Sequence, residues 1–297
     1  METMLEQLKK VAAVETGVPL SSMTTLRIGG KAKYVAYPDD SVSLDSLIRI
    51  IRKNHLPFKL IGKGSNLLCS DKDYDGVIIR LEKFNDFYIV DTSVVAQAGC
   101  SIIAVAYAAM KAGLSGLEFA SGIPGSVGGV TFMNAGAYRS SMSDVIDSVF
   151  VYRDGKFEWV PKGECGFGYR TSVFQSHPDW IVIAIRLNLE KRDPDEIRAL
   201  MDSRRERRMA SQPLDRPSAG SVFRNPADVP AWKLIEGIGY RGHRIGDAQV
   251  SEKHVNFIVN DGHARAEDFL ALTEEIQKLV KEKYGISLHM EVEKFNW

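Results

Sequence analysis

Two glycine-rich segments hold the residue types and spacings that could most plainly do chemistry. Gly62, Lys63, Gly64, Ser65, Asn66 and Leu67 follow directly on the strand-like run FKLIG. Where Cβ atoms are absent or small, successive backbone N–H groups can converge on an anion. This turn is therefore a candidate phosphate cradle, with an ordinary turn as the alternative. The second segment, Gly122, Ile123, Pro124, Gly125, Ser126, Val127, Gly128 and Gly129, places four glycines and a proline in eight residues. Asn134, Ala135, Gly136 and Ala137 prolong its small-residue surface. Two such segments fit the clamping of one long polyphosphate ligand from two sides; tight turns between strands are the competing explanation. A literal G-x-G-x-x-G runs from Gly237 to Gly242, but it follows the helical WKLIE and lacks the preceding strand that dinucleotide binding requires.

Other chemistries find little footing. His55, His177, His243, His254, His263 and His289 show no H-E-x-x-H or paired spacing, so no catalytic metal is expected. Cys69, Cys100 and Cys165 form no C-x-x-C and read as buried thiols in a reducing compartment. The run Arg204, Arg205, Arg207 and Arg208, interrupted by Glu206, reads as a solvated helix face, with steering of an anionic nucleotide as the alternative.

The elements that must position these segments can be read from periodicity. Leu44, Leu47, Ile48 and Ile51 recur at helical spacing and predict a helix ending before Pro57. FKLIG, GVIIRL and FYIVDTSVVAQAG read as β-rich, and SIIAVAYAAMKAG as a helix closed by Gly113. The glycine-dense stretch 113–138 is expected to hold no regular structure. VIDSVFVYRDGKFEWVP predicts a hairpin turning at Asp154-Gly155, WIVIAIRLNLEKR a strand, and Asp193-Pro194 the start of a helix. Prolines 213, 217 and 226 mark a change of composition. Beyond them AWKLIEGIG, the strand HVNFIVN, the helix AEDFLALTEEIQKLVKEKYG and a final strand ISLHMEVEKF predict a small α+β unit.

Composition narrows the function classes. A chain of 297 residues, 44% hydrophobic and 26% charged, is ordinary globular material. Lys+Arg and Asp+Glu both total 38, so the net charge is zero, without the electrostatic footprint of a nucleic-acid or anionic-membrane partner. A small-molecule ligand is expected instead. The N-terminus METMLEQLKKVA has no apolar signal core, and no window approaches a spanning helix, so a cytoplasmic protein is expected.

At this point a resemblance emerges. TTLRIGG, GKGSNLL, GLEFASGIPGSVGGVTFMNAGAY, YRTSVF, QPLDRPSAGSVFRNP, RIGDAQVSEKHVNFIVN and MEVEKF occur in the order found in the UDP-N-acetylenolpyruvoylglucosamine reductase (MurB) family. The resemblance covers roughly residues 20 to 297 and is closer to the shorter subtype, without an extra substrate-covering segment. It implies an α+β fold: a vanillyl-alcohol-oxidase-type (PCMH-like) FAD-binding domain over residues 1–202, in two α+β subdomains of about 1–82 and 83–202, and a substrate domain over 203–297. Both glycine segments would then hold FAD, which explains the missing strand-anchored fingerprint.

The family reaction implies the remaining assignments. NADPH reduces FAD, and the flavin passes hydride to the vinyl carbon of UDP-N-acetylglucosamine enolpyruvate, giving UDP-N-acetylmuramate for peptidoglycan. Negative charge grows on the adjacent carbon and its carboxylate, so the site must hold a cation or acid there and a proton donor over that carbon. By resemblance Arg170 in YRTSVF lies near flavin and substrate carboxylate, Ser221 in SAGSVF is the proton donor, and Glu291 in HMEVEKF helps to hold the enolic carboxyl. Asn225 in FRNP matches a contact to the nucleotide-sugar diphosphate. The chain departs from the family pattern at Met290, where Pro is usual, and at Glu293, where a basic residue is usual. Family members imply a monomer. Two alternatives stay open: an oxygen-using oxidase of an alcohol or sugar on the same flavin domain, and a nucleotide-sugar-binding protein that has lost catalysis.

Overall fold

The computed structural model describes residues 2–297, which form two compact units, each discontinuous in sequence. The first comprises Met1–Thr16, Tyr34–Lys63 and Gly76–Arg207; the second comprises Gly17–Lys33, Gly64–Asp75 and Arg208–Trp297. The division expected from the sequence, 1–202 and 203–297, is contiguous; the structure instead groups 17–33 and 64–75 with the C-terminal residues. Long-range pairing is the reason. Glu293–Phe295 runs parallel to Leu67–Cys69, and the Asp71 carboxylate accepts a 2.9 Å hydrogen bond from the N–H of Ala266, the first residue of a helix.

In the first unit, Asp40 caps the helix Ser41–Lys53 by accepting from the Ser43 N–H at 2.8 Å. Leu44, Leu47, Ile48 and Ile51 are fully buried on one face of this helix, each worth about 2 kcal/mol of apolar burial as an upper figure. Phe58–Leu60 pairs in parallel with Val77, Ile78 and Ile79. A five-stranded antiparallel sheet follows, in the order Lys156–Pro161, Ile146–Arg153, Ile181–Asn188, Ser93–Gln97, Phe87–Val90. The expected hairpin turn is present: Arg153 pairs with Lys156 across Asp154 and Gly155, both at positive φ, the geometry that matches strand twist. The helix Ile102–Lys111 ends at Gly113, φ 68°, as its sequence predicts.

The expectation that 113–138 holds no regular structure is corrected. Val127–Phe132 is a helix with Ser126 at its N-cap, despite two internal glycines. Burial of Val127, Val130 and Thr131 outweighs the poor propensity, and Gly128 lets the turn lie against Ala98, where a Cβ would stand 3.0 Å from the alanine Cβ.

In the second unit, an antiparallel sheet runs Ser218–Ser221, Phe257–Asn260, Ala248–Val250, Arg244–Ile245. The helix Ala266–Tyr284 buries Phe269, Leu272, Ile276 and Val280 in the same core as Leu26, Ile28 and Leu68, and stops at Gly285, φ 71°. The predicted final strand is shorter than expected. Only Glu293–Phe295 is strand, preceded by a single bridge between Met290 and Phe223. The Gly237–Gly242 fingerprint closes on itself: the space a Cβ would need at Gly237 is taken by the Tyr284 hydroxyl, and at Gly242 by the Glu252 carboxylate.

Candidate active site

Within the first unit the two glycine segments meet. Ile61 donates to the Ile79 carbonyl at 3.2 Å, which carries the chain off the end of the parallel pair into Gly62. A Cβ on Gly62 would collide with Ser126 Oγ, so glycine is required for this approach. The N–H groups of Gly62, Lys63 and Ser126 find no protein acceptor among the described residues. In the second unit the same is true of Gly64 and Ser65. Gly64 has φ 61°, and a Cβ there would strike the Met23 carbonyl. Asn66 is tied down by its side chain, which donates to the Glu291 carbonyl at 3.0 Å, while Leu67 is buried in its strand.

The rest of the glycine-rich run behaves differently. Ile123 donates to Ala120, Gly125 to Ile123, Val127 to Cys100 and Gly128 to Ala98, while Gly129 donates to Ser126 Oγ at 3.3 Å. These residues offer a ligand close backbone approach and not free donors. Gly122 is half-buried and Pro124 exposed. The buried Asn134 side chain is committed: its amide donates to the Gly168 carbonyl at 2.8 Å and its Oδ1 accepts from Ser143 at 2.9 Å. Ala135 donates to Val130, and Gly136 and Ala137 form one arm of a tight hairpin whose tip, Tyr138 and Arg139, has positive φ at both residues. Tyr138 is held by its hydroxyl, which donates to the Arg204 carbonyl at 2.8 Å. The Arg204 and Arg207 guanidiniums stand 5.0 and 5.9 Å from its ring.

Arg170 occupies the tip of a second small turn, closed by mutual hydrogen bonds between Gly168 and Thr171. Its φ of 56° is uncommon for a non-glycine residue. Its guanidinium donates to the Gly136 carbonyl at 2.6 Å and lies 5.3 Å from the Tyr169 ring, while Gln175 donates to its carbonyl at 3.1 Å. The fork is thus aimed by contacts to the same small-residue hairpin.

In the second unit, Ser221 and Glu291 lie on adjoining segments joined by main-chain hydrogen bonds. Ser221 pairs with Phe257; the next residue, Val222, accepts the Glu291 N–H at 2.7 Å, and Arg224 donates to His289. The Ser221 hydroxyl makes no hydrogen bond to the protein among the described residues and is half-exposed. Asn225 lies on the surface and its Oδ1 accepts from the Ala231 N–H at 3.0 Å, capping the helix Ala231–Gly237. Glu293 is part of the parallel strand and donates its N–H to the Asn66 carbonyl at 3.0 Å; Met290 bridges to Phe223.

Two residues were not singled out by sequence. Asn256, buried in HVNFIVN, accepts from the Phe223 N–H at 3.0 Å and donates to the Phe223 carbonyl at 2.9 Å, clamping the segment that carries Ser221. Thr24, in TTLRIGG, has a buried hydroxyl with no partner, beside Gly64, whose carbonyl accepts from Thr25. Both lie in the motifs quoted above, but nothing in a bare sequence separates a clamp from an ordinary polar residue.

Comparison with known proteins identifies the family. Residues 32–160 match an FAD binding domain, and residues 212–295 match the C-terminal domain of UDP-N-acetylenolpyruvoylglucosamine reductase. A UDP-N-acetylenolpyruvoylglucosamine reductase of Anoxybacillus flavithermus is 44% identical, covering 99% of this chain and 98% of that protein. The crystal structure of the Thermus caldophilus enzyme of that name superposes with a TM-score of 0.83 at 36% identity, covering 96% of this chain and all of that one. A BBE-like protein of Physcomitrella patens, 15% identical, shares the fold at a TM-score of 0.50 over 64% of this chain and 45% of its own. The expected PCMH-like FAD-binding fold with a distinct C-terminal domain is therefore borne out. The chain belongs to the UDP-N-acetylenolpyruvoylglucosamine reductase family of FAD-dependent oxidoreductases.

Proposed function

We propose that this chain reduces the enolpyruvyl ether of UDP-N-acetylglucosamine enolpyruvate to UDP-N-acetylmuramate, a peptidoglycan precursor, with NADPH as electron donor, acting as a cytoplasmic monomer. The residues present fit FAD: the N–H groups of Gly62, Lys63 and Ser126, which have no acceptor among the described residues, are donors for phosphate oxygens. When bound, FAD supplies a two-electron relay between NADPH and the vinyl carbon. The chain's own residues do the rest. Arg170 presents a permanently charged planar fork to the substrate carboxylate as that group gains enolate character. Ser221 delivers a proton to the α-carbon, an acceptor far more basic than an ordinary carboxylate. Glu291 holds the enolic carboxyl, and Asn225 contacts the nucleotide-sugar diphosphate.

One observation carries the reading. A serine hydroxyl with no protein partner among the described residues sits one residue from Val222, whose carbonyl accepts the Glu291 N–H, so a weak acid left free for a ligand and a carboxylate lie on adjoining segments. Anaerobic titration tests it. Purified protein should be yellow, bleach with NADPH, and recover its absorption on addition of the enolpyruvyl sugar nucleotide. Reduced protein that ignores that substrate but turns over rapidly in air would identify an oxidase instead.

A further inference from the structure

Arg80 is an anomaly that the assignments above do not use. It is 9% exposed, and its Nε and Nη1 are buried without any hydrogen-bond partner among the described residues. Only Nη2 is engaged, by the carboxylate of Glu82, which is itself half-exposed. Glu15 lies near the Tyr37 hydroxyl, whose pKa burial and that carboxylate together push up. Burying a guanidinium with two unmet donors is costly, so such a group calls for an acceptor that the protein itself does not supply.

The strand register says where that acceptor belongs. Phe58–Leu60 runs parallel to Val77–Ile79, with Leu60 opposite Ile79, and Ile61 donates to the Ile79 carbonyl. Arg80 therefore continues its strand beside Ile61 and Gly62, at the carboxyl end of the parallel pair, where open α/β sheets bind their ligands. Its own N–H is held by the Ala36 carbonyl at 2.9 Å, which fixes the residue at that edge. Gly62 and Lys63 carry N–H groups without protein acceptors at the same edge. Arg80 and the unmet amides thus belong to the same sheet edge, and an anion rich in oxygen could satisfy both.

We propose that Arg80 is a further FAD-holding residue, donating from Nε and Nη1 to the diphosphate of the cofactor. The proposal rests on the FAD assignment and adds to it a charge-bearing contact beside the glycine loop. The contribution is electrostatic: a buried cation that is costly by itself is stabilised by the charge of a bound diphosphate.

Equilibrium FAD titration of the full-length protein, followed by flavin fluorescence, tests it together with thermal unfolding with and without FAD. Arg80→Met should raise the Kd for FAD roughly 10- to 100-fold, the range of a lost charge-assisted pair. It should weaken ADP in the same ratio and leave riboflavin, which has no phosphate, unchanged. Without FAD the variant should melt no lower than wild type, so that the gain in Tm on adding FAD shrinks. Arg80→Lys, which keeps charge but loses the fork, should fall between the two and serves if Arg80→Met fails to fold. An unchanged FAD affinity, or an equal loss of Tm with and without FAD, overturns the proposal and assigns the two donors to buried water. Wild-type protein that takes up no FAD would instead overturn the cofactor assignment itself.

Discussion

Arg170 and Ser221 illustrate two ways a residue is prepared for chemistry. Arg170 is held at positive φ, a conformation costing a non-glycine residue on the order of 1 kcal/mol or more, and it persists because Gly136 and Gln175 hold both its side chain and its carbonyl. Ser221 is the reverse case: its backbone is paired and its hydroxyl is left uncommitted. On the proposed mechanism Ser221→Ala should leave reduction of bound flavin by NADPH nearly intact and slow reoxidation by the enolpyruvyl substrate roughly 10²- to 10⁴-fold. Stopped-flow absorbance measured on each half-reaction separates the two, and equal slowing of both would remove the serine from the proton-donor role.

Among the elements, the segment 221–224 depends on its neighbours more than on its own propensity. It is not a regular strand beyond Ser221; Asn256 on one side and 289–291 on the other hold it in place. Removing the Asn256 side chain would strand two buried main-chain groups of Phe223. Asn256→Ala is therefore expected to lower unfolding free energy by about 2–6 kcal/mol, at roughly 1–3 for each group left unmet. A urea midpoint unchanged within error would show that water replaces the clamp. The short helix Val127–Phe132 follows the same logic: two glycines weaken it locally, and buried Val127 and Val130 with Ser126 at the cap restore it.

For the molecule as a whole, the discontinuous second unit has a direct consequence. Residues 208–297 contain most of its sheet and its long helix, yet Leu26, Ile28 and Leu68 complete the core, and Leu67–Cys69 is the partner of Glu293–Phe295. A fragment of residues 208–297 alone should show a broad, non-cooperative thermal transition by circular dichroism and poor dispersion in its NMR spectrum. A fragment that melts sharply would make the C-terminal segment an autonomous domain, with the early residues as decoration.

Much of this was legible in the residues. Helical spacing marked Ser41–Lys53, Asp154-Gly155 marked the hairpin, Gly113 marked a helix end, and the ordered motifs marked the family, because each is a short-range or colinear signal that no distant partner can reverse. The helix inside 113–138, the shortened final strand, the clamp at Asn256 and the orphaned donors of Thr24 and Arg80 were not legible. Each depends on what lies opposite in space: a buried face can rescue a glycine-rich turn, and a buried donor is unmet only once the fold has placed every possible acceptor elsewhere. Chain order alone established which chemistry this protein is equipped for. Tertiary pairing between distant segments, as from Asn66 to Glu291, 225 residues apart, decided which early loops share a unit with the last strand and which polar groups have no protein partner among the described residues, because separation in sequence says nothing about such contacts.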